Sequence, residues 1–341
     1  MKQIEVQSAG ITDTGLLRSD NQDQFFVADF THSMLVRSGS LDVVPRSRLF
    51  GSTIGHLFFV ADGMGGHRAG NEASMLAIQY FVNAVLNRHQ SLIQTDSQSE
   101  ESLVEDLENI LMDAHRTIKN QSKRDQNCAG MGTTLTMAYV SWPKMVVVHA
   151  GDTRCYLMRG SDLRLITRDH TVADQMLQAG RLEPDSLEHS HWSNVLVNAL
   201  GAGANEVFAE IHKLDLESGD AILLCSDGLN KHVTDIQICQ YMLDNKDPSE
   251  ACANLVQLAK QGGGSDNITV VIARFVEPNR TPARMQVLAA NPTEERIFQD
   301  VPIPETDLDT TVEDEDAIPE IDTGDFCESK DQATGESHER M

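Results

Sequence analysis

The amino-acid sequence predicts an α+β fold built on antiparallel sheets. Short runs rich in branched and aromatic residues, which are typical of strands, are too numerous for a helical protein. Two long helical segments follow one another, and the strands after them cluster without regular helical crossovers, which disfavours a doubly wound parallel sheet. The predicted strands are residues 24–28, 56–61, 133–140, 144–150, 221–226 and 267–275.

The two predicted helices lie between the second and third of these strands. Between Leu103 and Ile118, apolar residues recur at spacings of three and four, so one face of this helix should be buried. Residues 69–88 are predicted to form the other long helix. The polar connection 31–55 is either an extended hairpin or a mobile loop.

Length, charge and cysteine content limit the function. The chain has 341 residues, of which 40% are apolar, enough to fill a sizeable core. Its 27 basic and 52 acidic residues give a formal charge of -25, which repels a phosphate backbone, so no nucleic-acid binding is expected.

The sequence has no apolar run long enough to cross a bilayer and no apolar signal-peptide core, so we expect a cytoplasmic protein without a membrane segment. Six scattered cysteines without a CxxC pair disfavour disulfides and a thiolate zinc site.

The last part of the sequence differs in composition from the rest. Residues 278–341 contain 17 acids, 5 bases and six of the ten prolines, but only 11 Leu, Ile, Val or Phe in 64 residues. Such a segment buries too little apolar surface to offset its chain entropy. We therefore predict a folded domain at 1–277 and a disordered acidic tail at 278–341. The tail is either a solvated extension or a docking or autoinhibitory segment whose carboxylates compete with phosphate.

Four acidic residues lie in turns that follow or precede strongly apolar strands. Two of these acids, Asp62 and Asp227, are followed by Gly. The glycine allows the backbone to turn, so that a carbonyl oxygen and the carboxylate can face the same site. Oxygen ligands of this kind suit hard divalent cations. Asp-Gly is also a common turn dipeptide, and spacing alone leaves both interpretations open. The four residues are Asp62, Asp152, Asp227 and Asp266.

Seven short motifs occur in an order that resembles the PP2C (PPM) family of metal-dependent protein Ser/Thr phosphatases, in its bacterial form. The resemblance covers nearly all of residues 1–276 and implies a four-layer α-β-β-α sandwich, in which two antiparallel sheets pack face to face between helices. The motifs are RSDNQD at 18–23, ADGMGGH at 61–67, GTT at 132–134, GDTR at 151–154, ITRDH at 166–170, SDGL at 226–229 and GGSDN at 263–267.

The resemblance also implies a metal site. Asp62 would bridge two Mn²⁺ or Mg²⁺ ions, and the Gly63 carbonyl, Asp227 and Asp266 would complete the core ligands. Asp152 resembles the acid of a third, weaker metal site. Two bridged cations acidify a shared water and hold it in line with phosphorus, which suits hydrolysis of a phosphate ester.

Further roles are implied next to these ligands. Arg18 resembles the phosphate-binding arginine, since its planar fork matches two phosphate oxygens. Asp23 is included among the metal residues, but Gln22 replaces a frequent Glu, and we expect this loss of one charge to weaken retention of one metal. Met64 stands at the position of the histidine proposed as general acid in animal relatives. His67 is then either the acid or a loop-capping residue.

The sequence therefore predicts a phosphatase that hydrolyses phosphoserine and phosphothreonine with a metal-activated water. Phosphorylated Ser/Thr proteins are the expected substrates, with a Ser/Thr kinase or its targets as partners, and we expect a monomer. Two alternatives remain: a catalytically idle PP2C-like binding or signalling module, and a hydrolase of small phosphate esters.

Overall fold

The structure is a computed structural model that describes residues 4–35, 48–65, 67–93, 97–183, 191–203 and 206–278. The strands in these ranges are β1 (Glu5–Asp13), β2 (Gln24–Leu35), β3 (Arg48–Ala61), β4 (Gly63–Met64), β5 (Gly132–Thr133), β6 (Leu135–Ser141), β7 (Lys144–Ala150), β8 (Arg154–Arg159), β9 (Asp162–Leu165), β10 (Glu210–Asp215), β11 (Ala221–Cys225) and β12 (Ile268–Val276). The helices are α1 (His67–Ile93), α2 (Ser97–Arg124), α3 (Val172–Gln178), α4 (Asp227–Asn230), α5 (Asp235–Asp244) and α6 (Pro248–Gln261), with a 3₁₀ turn at Gln126–Cys128.

Two five-stranded sheets form the centre of the fold. One has the order β1-β12-β11-β8-β9 and the other β10-β7-β6-β3-β2, while β4 and β5 form a small separate pair. Neighbouring strands are antiparallel throughout both sheets. The predicted α+β class with antiparallel sheets is confirmed.

The side chains of β3 show how the layers pack. Phe58 and Val60 point into a core shared with the other sheet, whereas Phe59 and Ala61 point outward to α1 and α2. Because successive residues of a strand face opposite sides, burial on both faces gives the continuous apolar run seen in the sequence. On the far side, Leu223 of β11 lies in a third core that includes residues of α5 and α6. Helices thus cover the outer face of each sheet, which confirms the four-layer α-β-β-α sandwich.

The bounds of several elements agree with the prediction. Strand β7 coincides with the predicted 144–150, and both long helices extend past their predicted ends. The 31–55 connection is a hairpin as far as the structure describes it, because β2 and β3 pair out to Leu35 and Arg48. Residues 36–47 and 279–341, including almost all of the predicted tail, lie outside the described residues. Within the described ranges, no helix is long and apolar enough to cross a membrane.

Candidate metal and phosphate site

The four predicted carboxylates line one open cleft of about 770 Å³ at the end of the two sheets. Asp62 follows β3 and Asp152 lies just after β7, in one sheet. Asp227 follows β11 and Asp266 precedes β12, in the other sheet. Convergence of acids from four separate turns was the open question in the sequence, and the packing of the two sheets answers it.

Close backbone packing explains the glycines that follow two of these acids. A side-chain carbon at Gly63 would lie 2.1 Å from the carbonyl oxygen of Gly70, and one at Gly228 would lie 1.9 Å from that of Asn267. Neither glycine has a positive φ, so neither position needs the backbone conformations that are open only to glycine. Lack of space for a side chain is the reason at both positions.

The GTT motif holds Asp62 by its backbone. The Thr134 amide and the Thr133 hydroxyl each donate to the Asp62 carbonyl, both at 2.9 Å. The Asp62 amide donates in turn to the Thr134 hydroxyl at 2.9 Å. All three bonds leave the carboxylate of Asp62 available on the cleft side.

A histidine of the ITRDH motif holds the turn that carries Asp152. The His170 amide donates to the Gly151 carbonyl at 2.7 Å, and the Gly151 amide donates to His170 Nδ1 at 3.2 Å. His170 Nε2 lies 2.9 Å from Glu210 Oε2. Since Nδ1 accepts, Nε2 carries the proton and donates to Glu210. The motif therefore supports the Asp152 turn from within the buried part of the fold.

Burial and mutual repulsion raise the pKa values of the acids in the cleft. The pKa of Asp62 lies well above its usual range because the carboxyl is buried and because Asp23, Asp227 and Asp152 are close. Burial and the charge of Asp227 do the same for Asp152. Asp227 also has a raised pKa, chiefly from burial. A cation placed among these groups would relieve both effects.

Asp266 behaves differently because two cationic side chains contact it. Burial raises its pKa, but Lys231 and Arg18 outweigh burial and lower it overall. Arg18 makes two contacts of 2.9 Å, from Nε to Oδ1 and from Nη2 to Oδ2. The Arg18 side chain remains 55% exposed at the mouth of the cleft. The side chain therefore reaches solvent, while Nε and Nη2 of its guanidinium are paired with Asp266.

Asp23 lies behind the cleft and is not one of its lining residues. Its Oδ2 accepts from the Ser226 hydroxyl at 2.6 Å and the Thr269 hydroxyl at 2.7 Å. Its Oδ1 is buried without a hydrogen-bond partner. Burial raises the pKa of Asp23 to about 7, and the charge of Asp227 adds to this. The role of Asp23 as a metal residue stays a prediction.

The donor set of the cleft suits divalent cations. Carboxylate oxygens are the ligands that Mg²⁺ and Mn²⁺ favour, and Asp227 Oδ1 is buried without a hydrogen-bond partner. In the part of the chain that is described, no three His, Cys, Asp or Glu side chains are already arranged as one ligand group. Asp227 and Asp266 instead pair with Lys231. Metal binding there requires these ion pairs to open.

Sequence reasoning did not single out Asn267, which joins two of the motifs. Its side-chain amide donates to the carbonyls of Thr14 and Asp20, and its Oδ1 accepts from the Gln22 amide at 2.8 Å. Its own amide donates to Asp266 Oδ1 at 2.9 Å. The segment bearing Arg18 is thus fixed to the turn bearing Asp266. Its position in the GGSDN motif, directly after Asp266, was the available signal.

The predicted proton donor lies at the start of a helix beside the cleft turn of Gly63 and Met64. His67 is the first residue of α1, and its side chain lies outside the described residues. Met64 lines the cleft.

Comparison with known proteins identifies the family. The family model described as Protein phosphatase 2C matches residues 50–262. The serine/threonine protein phosphatase PstP of Mycobacterium tuberculosis is 31% identical over 274 residues, which are 80% of this chain and 46% of PstP. The chain thus spans about half the length of that relative. The protein phosphatase PhpP of Streptococcus pneumoniae is 30% identical over 267 residues, 78% of this chain and 96% of PhpP.

A solved structure agrees with the sequence comparison. The catalytic domain of PstP in complex with two manganese ions has a TM-score of 0.62 and 29% identity, covering 80% of this chain and 100% of that one. The family model alone spans well over half of the chain. The chain therefore belongs to the protein phosphatase 2C family.

Proposed function

We propose that this chain is a Mn²⁺ or Mg²⁺ dependent phosphatase that hydrolyses phosphoserine and phosphothreonine in proteins. The observation that carries the proposal is the convergence of Asp62, Asp152, Asp227 and Asp266 on one cleft with Arg18 at its mouth. The PstP catalytic domain, which shares the fold, holds two manganese ions. The names of the relatives as Ser/Thr phosphatases support the same reaction.

The proposed roles follow from position. Asp62, the Gly63 carbonyl, Asp227 and Asp266 would hold two ions, and Asp152 would contribute to a third. The ions, when bound, supply Lewis-acid charge and lower the pKa of the water used for hydrolysis. Arg18, whose side chain reaches solvent beside the carboxylates, would bind and orient the phosphate through its two-pronged guanidinium once its pairing with Asp266 opens.

The open shape of the cleft favours a protein substrate. Arg18 and Leu17 stand at its mouth, with Leu17 75% exposed. An exposed apolar residue next to the phosphate-binding arginine offers a contact for a polypeptide that flanks the phosphorylated residue. A phosphorylated Ser/Thr kinase or its targets fit this chemistry, and we propose a monomeric enzyme.

We also propose that residues 1–277 form the catalytic unit and 278–341 an acidic tail. Strand β12 pairs with β1 and β11 and ends at Val276, one residue before the proposed boundary. The composition of 278–341 supports the tail.

Phosphate release from a phosphothreonine peptide tests the function. Full-length protein stripped with chelator should release little phosphate, and Mn²⁺ or Mg²⁺ should restore release. Turnover of p-nitrophenyl phosphate alone, with none of the peptide, would instead favour the small-ester hydrolase. Folded protein that releases phosphate from neither substrate at any metal concentration would favour the binding module.

Gln22→Glu should tighten Mn²⁺ binding. Gln22 lines the cleft, and a carboxylate there adds one negative charge beside the proposed ligands. We expect the Kd for Mn²⁺ of one site to fall by about 10-fold, the lower end of effects of groups next to metal ligands. Calorimetric titration of metal-free protein measures it. An unchanged Kd would show that the amide at residue 22 does not limit retention of the ion.

A further inference from the structure

A lysine lies inside the cleft and contacts two of the proposed metal ligands. Lys231 Nζ forms an ion pair with Asp227 Oδ2 and another, at 3.2 Å, with Asp266 Oδ2. The lysine side chain is only 27% exposed. Its contacts are therefore made in the interior of the site and not on the outer surface of the protein.

The backbone places Lys231 at this point. The Lys231 amide donates to the Asp227 carbonyl at 2.9 Å, which puts the lysine one helical turn after the aspartate and on the same face. The close packing of Gly228 on the Asn267 carbonyl fixes Asp227 next to Asp266. A long side chain starting from residue 231 can then reach both carboxylates.

The charge of Lys231 acts on three of the acids. Burial raises the pKa values of Asp227, Asp266 and Asp152, and the nearby ammonium opposes this rise in all three, although the pKa is lowered overall only for Asp266. Arg18 and Lys231 are the Lys and Arg side chains among the described residues that line the cleft. Arg18 pairs with Asp266, whereas Lys231 pairs with both Asp227 and Asp266 and so joins the two carboxylates.

We propose that Lys231 is a tethered cation that competes with divalent metal for Asp227 and Asp266 and so sets the metal concentration at which the site fills. The inference rests on the proposed function, because it takes these two carboxylates as metal ligands. An oxygen that accepts from an ammonium group must release it before giving the same lone pair to a metal ion. Without Lys231, Asp227 Oδ2 would be available to metal with no ion pair to break, and Asp266 Oδ2 would keep only its bond from Arg18.

Calorimetric titration of metal-free, full-length protein with Mn²⁺ tests the competition. We expect Lys231→Gln to bind Mn²⁺ with a Kd about 10-fold lower than that of the wild type, within the range seen for groups that contact metal ligands. Lys231→Arg keeps the charge and should stay closer to the wild type. Lys260→Gln is the matched control, since Lys260 is 24% exposed and pairs with Asp13 at 2.9 Å, but does not line the cleft.

Thermal unfolding adds a measurement that a simple packing role would not reproduce. Without metal, Lys231→Gln should unfold at a lower temperature than the wild type, because the carboxylates lose their compensating charge. At saturating Mn²⁺ this difference should shrink or change sign, as the metal replaces the lost charge. The Lys260→Gln difference should be the same with and without Mn²⁺.

The outcomes separate the inference from the proposed function. Equal or weaker Mn²⁺ binding by Lys231→Gln, with normal binding by the wild type, overturns the competition and leaves the metal site standing. Absence of Mn²⁺ binding in every variant overturns the competition and the proposed function together. Binding by Lys231→Gln at concentrations where the wild type stays empty would support the competition strongly.

Discussion

Asp62→Asn is expected to lose metal-dependent phosphate release from a phosphothreonine peptide by about 1000-fold or more. Asp62 occupies the position in the cleft that we assign to both ions, and Asn keeps its shape but removes its charge. Metal ions stabilise the charge of the transition state by several kcal/mol, and roughly 4 kcal/mol corresponds to 1000-fold in rate. The measurement is the initial rate of phosphate release over a range of Mn²⁺ concentrations.

The same variant should remain folded. Its half-buried side chain lies close to Asp23, Asp152 and Asp227, so removal of its charge relieves repulsion in the metal-free protein. We expect the metal-free variant to unfold at the same temperature as the wild type or above it, and to gain less from added Mn²⁺. If activity fell because the variant unfolds, its unfolding temperature without metal would instead lie below that of the wild type.

Asp220→Asn is a matched control for the loss of a buried carboxylate. Asp220 is more buried than Asp62 and precedes β11, at the opposite end of that strand from Asp227. It pairs with Arg159, so the control variant should lose stability but keep its turnover per folded molecule. Retention of wild-type turnover by Asp62→Asn at saturating Mn²⁺ would rule out Asp62 as the bridging ligand.

The parts of the fold that could be predicted are those buried on both faces. Strands β3, β7 and β12 appear as continuous apolar runs because one side faces the opposite sheet and the other faces helices. Strand β10, with exposed and half-buried residues, has no such run. Strand β1 includes Gly10, where a side-chain carbon would lie 2.4 Å from the ring of Phe25. Tertiary packing, and not local propensity, determines these two strands.

Some elements that the prediction omitted did leave a signal in the sequence. Helix α6 begins with Pro248 after Asp247, whose side chain caps the Ser249 and Glu250 amides. Helix α5 begins after Thr234, which forms a capping box with Gln237. Both starts can be read from residue types and spacing, so these two helices were predictable.

The site itself was predictable only in part. The four acids could be found because each adjoins an apolar strand, but their meeting depends on how two sheets pack. Lys231 had no comparable signal, because its contact with Asp227 requires a four-residue helix that begins at the aspartate. The same holds for Arg154 and Asp169, which lie in separate motifs and meet only in the folded chain.

Arg154 and Asp169 form a largely enclosed ion pair next to the cleft. Arg154 Nε donates to Asp169 Oδ1 at 2.9 Å, and Nη2 donates to Oδ2 at 2.7 Å. The two side chains are 16% and 17% exposed. A third arginine nitrogen donates to the Tyr156 hydroxyl at 3.0 Å. The pair joins the start of β8 to the segment before α3, beside the turn of Asp152.

Arg154→Leu should cost about 3–5 kcal/mol of the free energy of unfolding, the usual loss when one partner of a buried pair is removed. The cause is the Asp169 carboxylate, which stays enclosed without its cation. For a domain of this size, such a loss lowers Tm by roughly 10 °C. Thermal and urea unfolding of the metal-free protein measure it.

The double variant Arg154→Leu/Asp169→Leu distinguishes charge from packing. With both charges gone, no uncompensated carboxylate remains, and apolar side chains often replace a buried ion pair with little loss. We therefore expect the double variant to be more stable than Arg154→Leu alone, with a favourable coupling energy in the double-mutant cycle. Equal instability of the single and double variants would contradict this and assign the loss to the arginine stem and its contact with Tyr156. Recovery in the double variant would show that the pair is needed because each partner neutralises the other, in a part of the fold where Asp152 already adds negative charge.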